Sequence, residues 1–128
     1  MDLDEIKNKY YDSETLFGMA TLKKQRSRLP MNLYLDDSGT YLDSGHGPHI
    51  MFQNNKNNRA NTRELIPMTI SDNPEIPVSN YKSLLDGISE NDIKLVKRFV
   101  RSNKDKLLRL CDRDDNYDIQ DFLKEMII

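Results

Sequence analysis

The sequence predicts an α+β domain: a four-stranded antiparallel meander with N-terminal and C-terminal helices packed on the sheet. Three observations carry that expectation. Apolar residues recur at helical spacing up to Arg28, alternate with polar ones between residues 29 and 70, and return to helical spacing from residue 89 to the C-terminus.

The N-terminal segment, residues 1–28, reads as helical with a break. Leu3, Ile6 and Tyr10 share a helical face, and Asp2, Asp4 and Glu5 suit the positive end of a helix dipole. Ser13 is a candidate cap for a second short helix carrying Leu16, Phe17 and Met19, weakened by Gly18. The basic run Lys23, Lys24, Arg26, Arg28 closes the segment. Pro30 then disfavours helical geometry at Leu29.

The β-meander follows over residues 29–70. Met31, Leu33 and Leu35 alternate with Asn32 and Tyr34, and Asp36, Asp37, Ser38 and Gly39 supply a turn into a short partner at residues 40–43. Gly45, Gly47 and Pro48 lead into HIMFQ, a third strand with Ile50 and Phe52 on one face and His49, Met51 and Gln53 on the other. The polar stretch 54–61 is a turn. RELIPMTI, residues 63–70, is the fourth strand, in which Pro67 signals an edge position or a bulge. The connector SDNPEIPVSN is extended by its two prolines.

Residues 89–128 return to helix. Ser89 to Asp92 resembles a capping box, and Ile93, Val96, Phe99 and Val100 form an apolar stripe. Ser102 and Asn103 interrupt it before a second stripe of Leu107, Leu108 and Cys111. The acidic loop DRDDNYD leads into a last helix with Ile119, Phe122, Leu123 and Met126. One face of the sheet is expected to carry the helices and the other to stay wet or to serve as a binding surface.

Composition limits the function classes. The 128 residues suit a single domain, and 37% hydrophobic residues in clusters are enough for a core. A net charge of −2 excludes a protein that coats DNA by bulk charge, so any nucleic-acid contact must come from a local patch. A lone cysteine, Cys111, and the absence of a signal peptide point to a reducing cytoplasm. No apolar run approaches the roughly 20 residues of a membrane helix, so no membrane contact is expected.

Both histidines, His46 and His49, flank the Gly47-Pro48 turn. H-x-x-H supplies two ligands where zinc needs three or four from the protein, and nothing in the spacing selects the rest. As an acid–base pair the two rings have the chemistry to cleave RNA, with Lys56, Arg59 and Arg63 balancing phosphate charge. The preferred alternative is a structural or contact role, in which the imidazoles bridge backbone groups or face water. The run Lys23 to Arg28 suits phosphates or an acidic partner surface but has no interleaved aromatic to stack bases. Lys94, Lys97, Arg98 and Arg101 give the long C-terminal helix a basic side too.

The loop from Asp112 mimics a calcium loop, with Asp112, Asp114, Asn116 and Asp118 at ligand positions. Tyr117 stands where glycine is required and Leu123 where the bidentate glutamate belongs, so a solvated loop whose Asp118 caps the last helix is the simpler account. Cys111, beside Leu107 and Leu108, is expected to be buried. No P-loop, G-x-G-x-x-G, G-x-S-x-G or H-E-x-x-H motif occurs.

The segments LPMNLYLDDSGTY, GHGPHIMFQ and ISENDIKLVKRFVRSNKDKLLRL resemble small uncharacterised bacterial proteins of a domain-of-unknown-function class, which carry a Pro-His strand motif followed by an amphipathic helix and often adjoin toxin–antitoxin-like genes. The specific part is Pro48-His49 with the helix pattern. Met51 stands where that class usually has a second histidine, which removes a paired-histidine site from the strand. The resemblance implies mobile-element or defence biology. Anti-CRISPR inhibitors share the small size and the lack of catalytic motifs.

The sequence therefore leads to a non-enzymatic binding or inhibitor protein that occupies a protein or ribonucleoprotein partner, without cofactor or metal. RNA contact is the accompanying expectation. Its candidate contacts are Lys23, Lys24, Arg26, Arg28, His46, His49, Lys56, Arg59 and Arg63, with the edge strand around Pro67 and the loop 54–61 beside them. The alternatives are a histidine-dependent ribonuclease toxin and an antitoxin or regulator.

Overall fold

A computed structural model describes residues 19–37, 47–53, 65–77, 87–112 and 114–128. Its elements are β1 (Met19–Leu22), α1 (Lys24–Ser27), β2 (Leu33–Asp36), β3 (His49–Phe52), β4 (Ile66–Thr69), α2 (Glu90–Ser102), α3 (Lys104–Cys111) and α4 (Ile119–Glu125). The four strands form one antiparallel sheet in the order β1-β2-β3-β4, so the architecture is the α+β meander with helices that the spacing predicts.

One strand comes from an unexpected place. Met19–Leu22, assigned by spacing to the end of a helical segment, is strand β1 and pairs Met19 with Asp36, Ala20 with Leu35, Thr21 with Tyr34 and Leu22 with Leu33. A four-residue apolar run fits either period, and the partner strand decides. The expected partner of β2, residues 40–43, lies outside the described residues, as do residues 1–18. At Leu33 and Tyr34 both lateral edges of β2 are occupied, by β1 on one side and by Phe52 and Met51 of β3 on the other.

Pro67 sits on an edge strand, as its missing N–H requires. The ladder shows why this position tolerates it. Ile70 N–H donates inward to Pro48 O at 3.1 Å, whereas Thr69 N–H points outward and donates to Glu75 O at 2.9 Å. Two residues before Thr69, Pro67 shares the outward orientation, where no ladder donor is needed. Glu75 N–H also donates to Thr69 Oγ1 at 2.9 Å, so the following connector folds back over that end of the exposed edge.

The core lies between one sheet face and the C-terminal helices. Leu22, Leu33, Leu35, Ile50, Phe52, Ile66 and Met68 alternate onto that face and join Val96, Phe99, Val100, Leu107, Leu110, Cys111 and Phe122 in one cluster. Ser89 caps α2 by accepting from Asp92 N–H at 3.0 Å. Asp118 and Asp121 form a reciprocal capping box on α4, and Phe122 meets Phe99 edge-on at 6.5 Å.

The opposite face, expected to stay wet or to serve as a binding surface, is partly buried: Thr21, Met51, Pro67 and Thr69 on it are half-buried. Met19 (1% exposed), Tyr34 (2%), Asp36 (1%) and His49 (5%) all lie on it and are all buried.

Candidate functional site

The basic run occupies the β1–β2 connection as a single pinned turn. Its backbone is fixed at three points: Lys24 N–H donates to Asn32 Oδ1 at 2.9 Å, Arg28 N–H to Lys24 O at 2.8 Å, and Leu29 N–H to Ser27 Oγ at 3.1 Å. Ser27 is buried, whereas Lys23, Arg26 and Arg28 are exposed and Lys24 is half-buried. None of the four cations forms an ion pair among the described residues. The turn thus holds its backbone rigid and leaves its charge to solvent.

Arg28 has φ 63° and ψ 19°, and among the described residues it is the one non-glycine residue with positive φ. Closing a helix with a left-handed residue is ordinarily a glycine's task, because a Cβ there meets the following carbonyl at a cost of about 1–2 kcal/mol. The sequence offers no signal of this strain, which arises from the closure onto Lys24 O.

Leu22, Leu33, Phe52 and Ile66 form one row across the sheet by register. The turn Lys23–Arg28 leaves from this row, and the chain departs at Gln53 and returns at Leu65 on the same row. Lys56, Arg59 and Arg63 belong to that second connection and lie outside the described residues, as does His46.

His49 stands at the other end of the sheet, three residues or about 10 Å along the strand from this row. Its Nδ1–H donates to Gly47 O at 2.9 Å. Gly47 adopts φ 73°, the turn geometry for which glycine is suited. The ring is 5% exposed. By alternation from the Tyr34–Met51 pair, Asp36 and His49 lie on the same face of the sheet, and both are buried. Among the described residues no three His, Cys, Asp or Glu side chains are arranged to hold a metal ion.

Tyr34, on this face two residues before Asp36, has a buried hydroxyl with no hydrogen-bond partner within geometric range among the described residues. Burial pushes its pKa up; the Asn32 side chain pulls it slightly back, while its Oδ1 is already taken by Lys24 N–H.

Asp112, Asp115 and Asp118 of the acidic loop hold the local fold. Asp112 Oδ1 accepts from Asp114 N–H at 3.0 Å, and Asp118 caps α4. Asp115 accepts from Arg109 Nε at 3.0 Å and Nη2 at 3.3 Å, and from Tyr117 N–H at 3.1 Å. Arg109 holds the Asp115 carboxyl below its ordinary range and stacks 4.2 Å from the centre of the Tyr117 ring. Cys111 is buried, and burial with the nearby charges of Asp36 and Asp37 pushes its thiol up to about 12, which makes it a poor nucleophile. No described helix is long and apolar enough to cross a membrane.

No protein-family model, curated protein or solved structure matches the chain.

Proposed function

We propose that the protein is a non-enzymatic binding module that occupies a protein or ribonucleoprotein partner with the end of the sheet bearing Lys23, Lys24, Arg26 and Arg28. Small inhibitors of nucleic-acid-processing defence complexes, carried by phages or mobile elements, are the kind of protein this describes. The observation that carries the reading is Arg28: an exposed guanidinium, without an ion-pair partner among the described residues, on a pinned turn at a backbone position where glycine would be cheaper. Strain retained at an exposed charged residue supports selection for what the side chain contacts.

The test compares wild type with the K23E/K24E/R26E/R28E variant as baits for bacterial lysate, followed by titration calorimetry with the captured component. A partner held by the wild type and lost by an equally stable variant is expected. Equal affinity of both would remove this surface from consideration.

The ribonuclease alternative draws on His49, whose ring is oriented by Gly47 O and shares a sheet face with the buried Asp36. It requires RNA cleavage with a bell-shaped pH profile that His49→Ala abolishes. Intact RNA after incubation with purified wild type is the outcome expected here.

A further inference from the structure

A second concentration of positive charge lies on α2, in residues to which the proposed function gives no part. Lys94, Lys97, Arg98 and Arg101 stand at positions i, i+3, i+4 and i+7, which align in one stripe about 10 Å long. The stripe runs on the side of the helix away from the buried Val96, Phe99 and Val100. Lys94, Arg98 and Arg101 are exposed and Lys97 is half-buried. Among the described residues none of them forms an ion pair.

Helix electrostatics explain part of the pattern and leave the rest. Glu90 and Asp92 occupy the first turn and Arg101 the last, as the dipole favours. Lys94, Lys97 and Arg98 sit mid-helix, where the dipole gives no preference and like charges one turn apart cost a few tenths of a kcal/mol per pair. From Ile93 to Ser102 the helix has four cations and no acid, on a chain whose net charge is −2.

We propose that this stripe docks the phosphodiester backbone of a nucleic acid without reading its sequence. A straight row of cations fits a regular row of phosphates, and the planar donor forks of Arg98 and Arg101 suit phosphate oxygens. No aromatic side chain interrupts the row on its exposed side to stack a base, so contact is confined to the backbone. The stripe shares no residue with the Lys23–Arg28 turn and needs no protein partner to act.

The experiment titrates the purified full chain into fluorescein-labelled short oligonucleotides of mixed sequence, one a single-stranded RNA and one a DNA duplex, and follows anisotropy from about 50 to 200 mM salt. Expected is binding to at least one of them, with log K falling linearly in log salt by about 3 for four single-strand phosphate contacts, slightly more for a duplex. The K94Q/K97Q/R98Q/R101Q variant, altered only off the core, should lose affinity by about tenfold or more and flatten the salt slope. Should that variant unfold, Arg98→Gln alone should still lower the slope by nearly one. Failure of the wild type to bind either probe at the lowest salt overturns the proposal, as does a folded quadruple variant that binds like wild type. Displacement of the oligonucleotide by polyglutamate at equal charge also overturns it, and would assign the stripe to an acidic protein instead.

Discussion

Asn103 grips Ile127 with both ends of its amide: Nδ2 donates to Ile127 O at 2.8 Å, and Oδ1 accepts from Ile127 N–H at 2.7 Å. The same Nδ2 also donates to Phe99 O at 2.9 Å, and the residue has no exposed surface. A side chain at the junction of α2 and α3 thereby plays the part of a neighbouring strand for the chain beyond α4, linking residues 24 apart in sequence. The expected cost of Asn103→Ala is about 2–3 kcal/mol, because two backbone groups of Ile127 lose partly buried partners and a cavity is left. Urea unfolding checks this: the midpoint should fall with an unchanged m-value. Asn103→Asp should be worse than Asn103→Ala, since it keeps the acceptor but buries a charge facing two carbonyls.

Arg28 should behave in the opposite way. Relief of its left-handed backbone favours Arg28→Gly by about 1–2 kcal/mol, and glycine's greater freedom in the unfolded chain takes back about 0.5–1. The net expectation is a gain of between nothing and about 1.5 kcal/mol in thermal or urea unfolding, together with weaker partner binding. A variant both less stable and unaltered in binding would mean that the side chain packs for the fold and nothing else. Arg28→Val, β-branched at the same φ, should destabilise relative to wild type.

These two residues mark where the sequence was legible and where it was not. The C-terminal helices are written locally: Val96, Phe99 and Val100 repeat at helical spacing, and Ser89 and Asp118 announce the starts. Met19–Leu22 is not, because its strand identity exists only through pairing with Leu33–Asp36. For the site, the cations of the β1–β2 connection are visible in composition, while the geometry of Arg28 depends on closure within the turn. The burial of His49 was hidden for a different reason. Alternation assigns it correctly to the face opposite Ile50, but alternation alone does not set how deeply a face is buried.

Gly47 tests the anchoring of His49. Space is not the constraint, since a Cβ there would meet nothing within 4 Å, but φ 73° is. Gly47→Ala should therefore cost about 1 kcal/mol from backbone strain alone. Asn at this position, which tolerates left-handed geometry better, should recover part of the loss in a urea midpoint. Equal effects of Ala and Asn would indicate that the turn relaxes and the carbonyl no longer meets Nδ1.

Cys111 connects the core to pH. Its thiol, ordinarily near 9.0, is pushed up to about 12 in the folded chain, first by burial and then by Asp36 and Asp37. Between those values the unfolded chain releases the proton and the folded chain keeps it, so stability is fully present below pH 9.0 and drains away as pH rises toward 12. The limiting slope is about 1.4 kcal/mol per pH unit. Cys111→Ala should lower stability at neutral pH by vacating core volume, yet show a flatter decline above pH 9.0 than wild type. Parallel decline of the two proteins in urea midpoints across this range would refute the assignment. A thiol reagent gives the companion measurement: Cys111 should react at the rate of global unfolding in native buffer and immediately in concentrated urea.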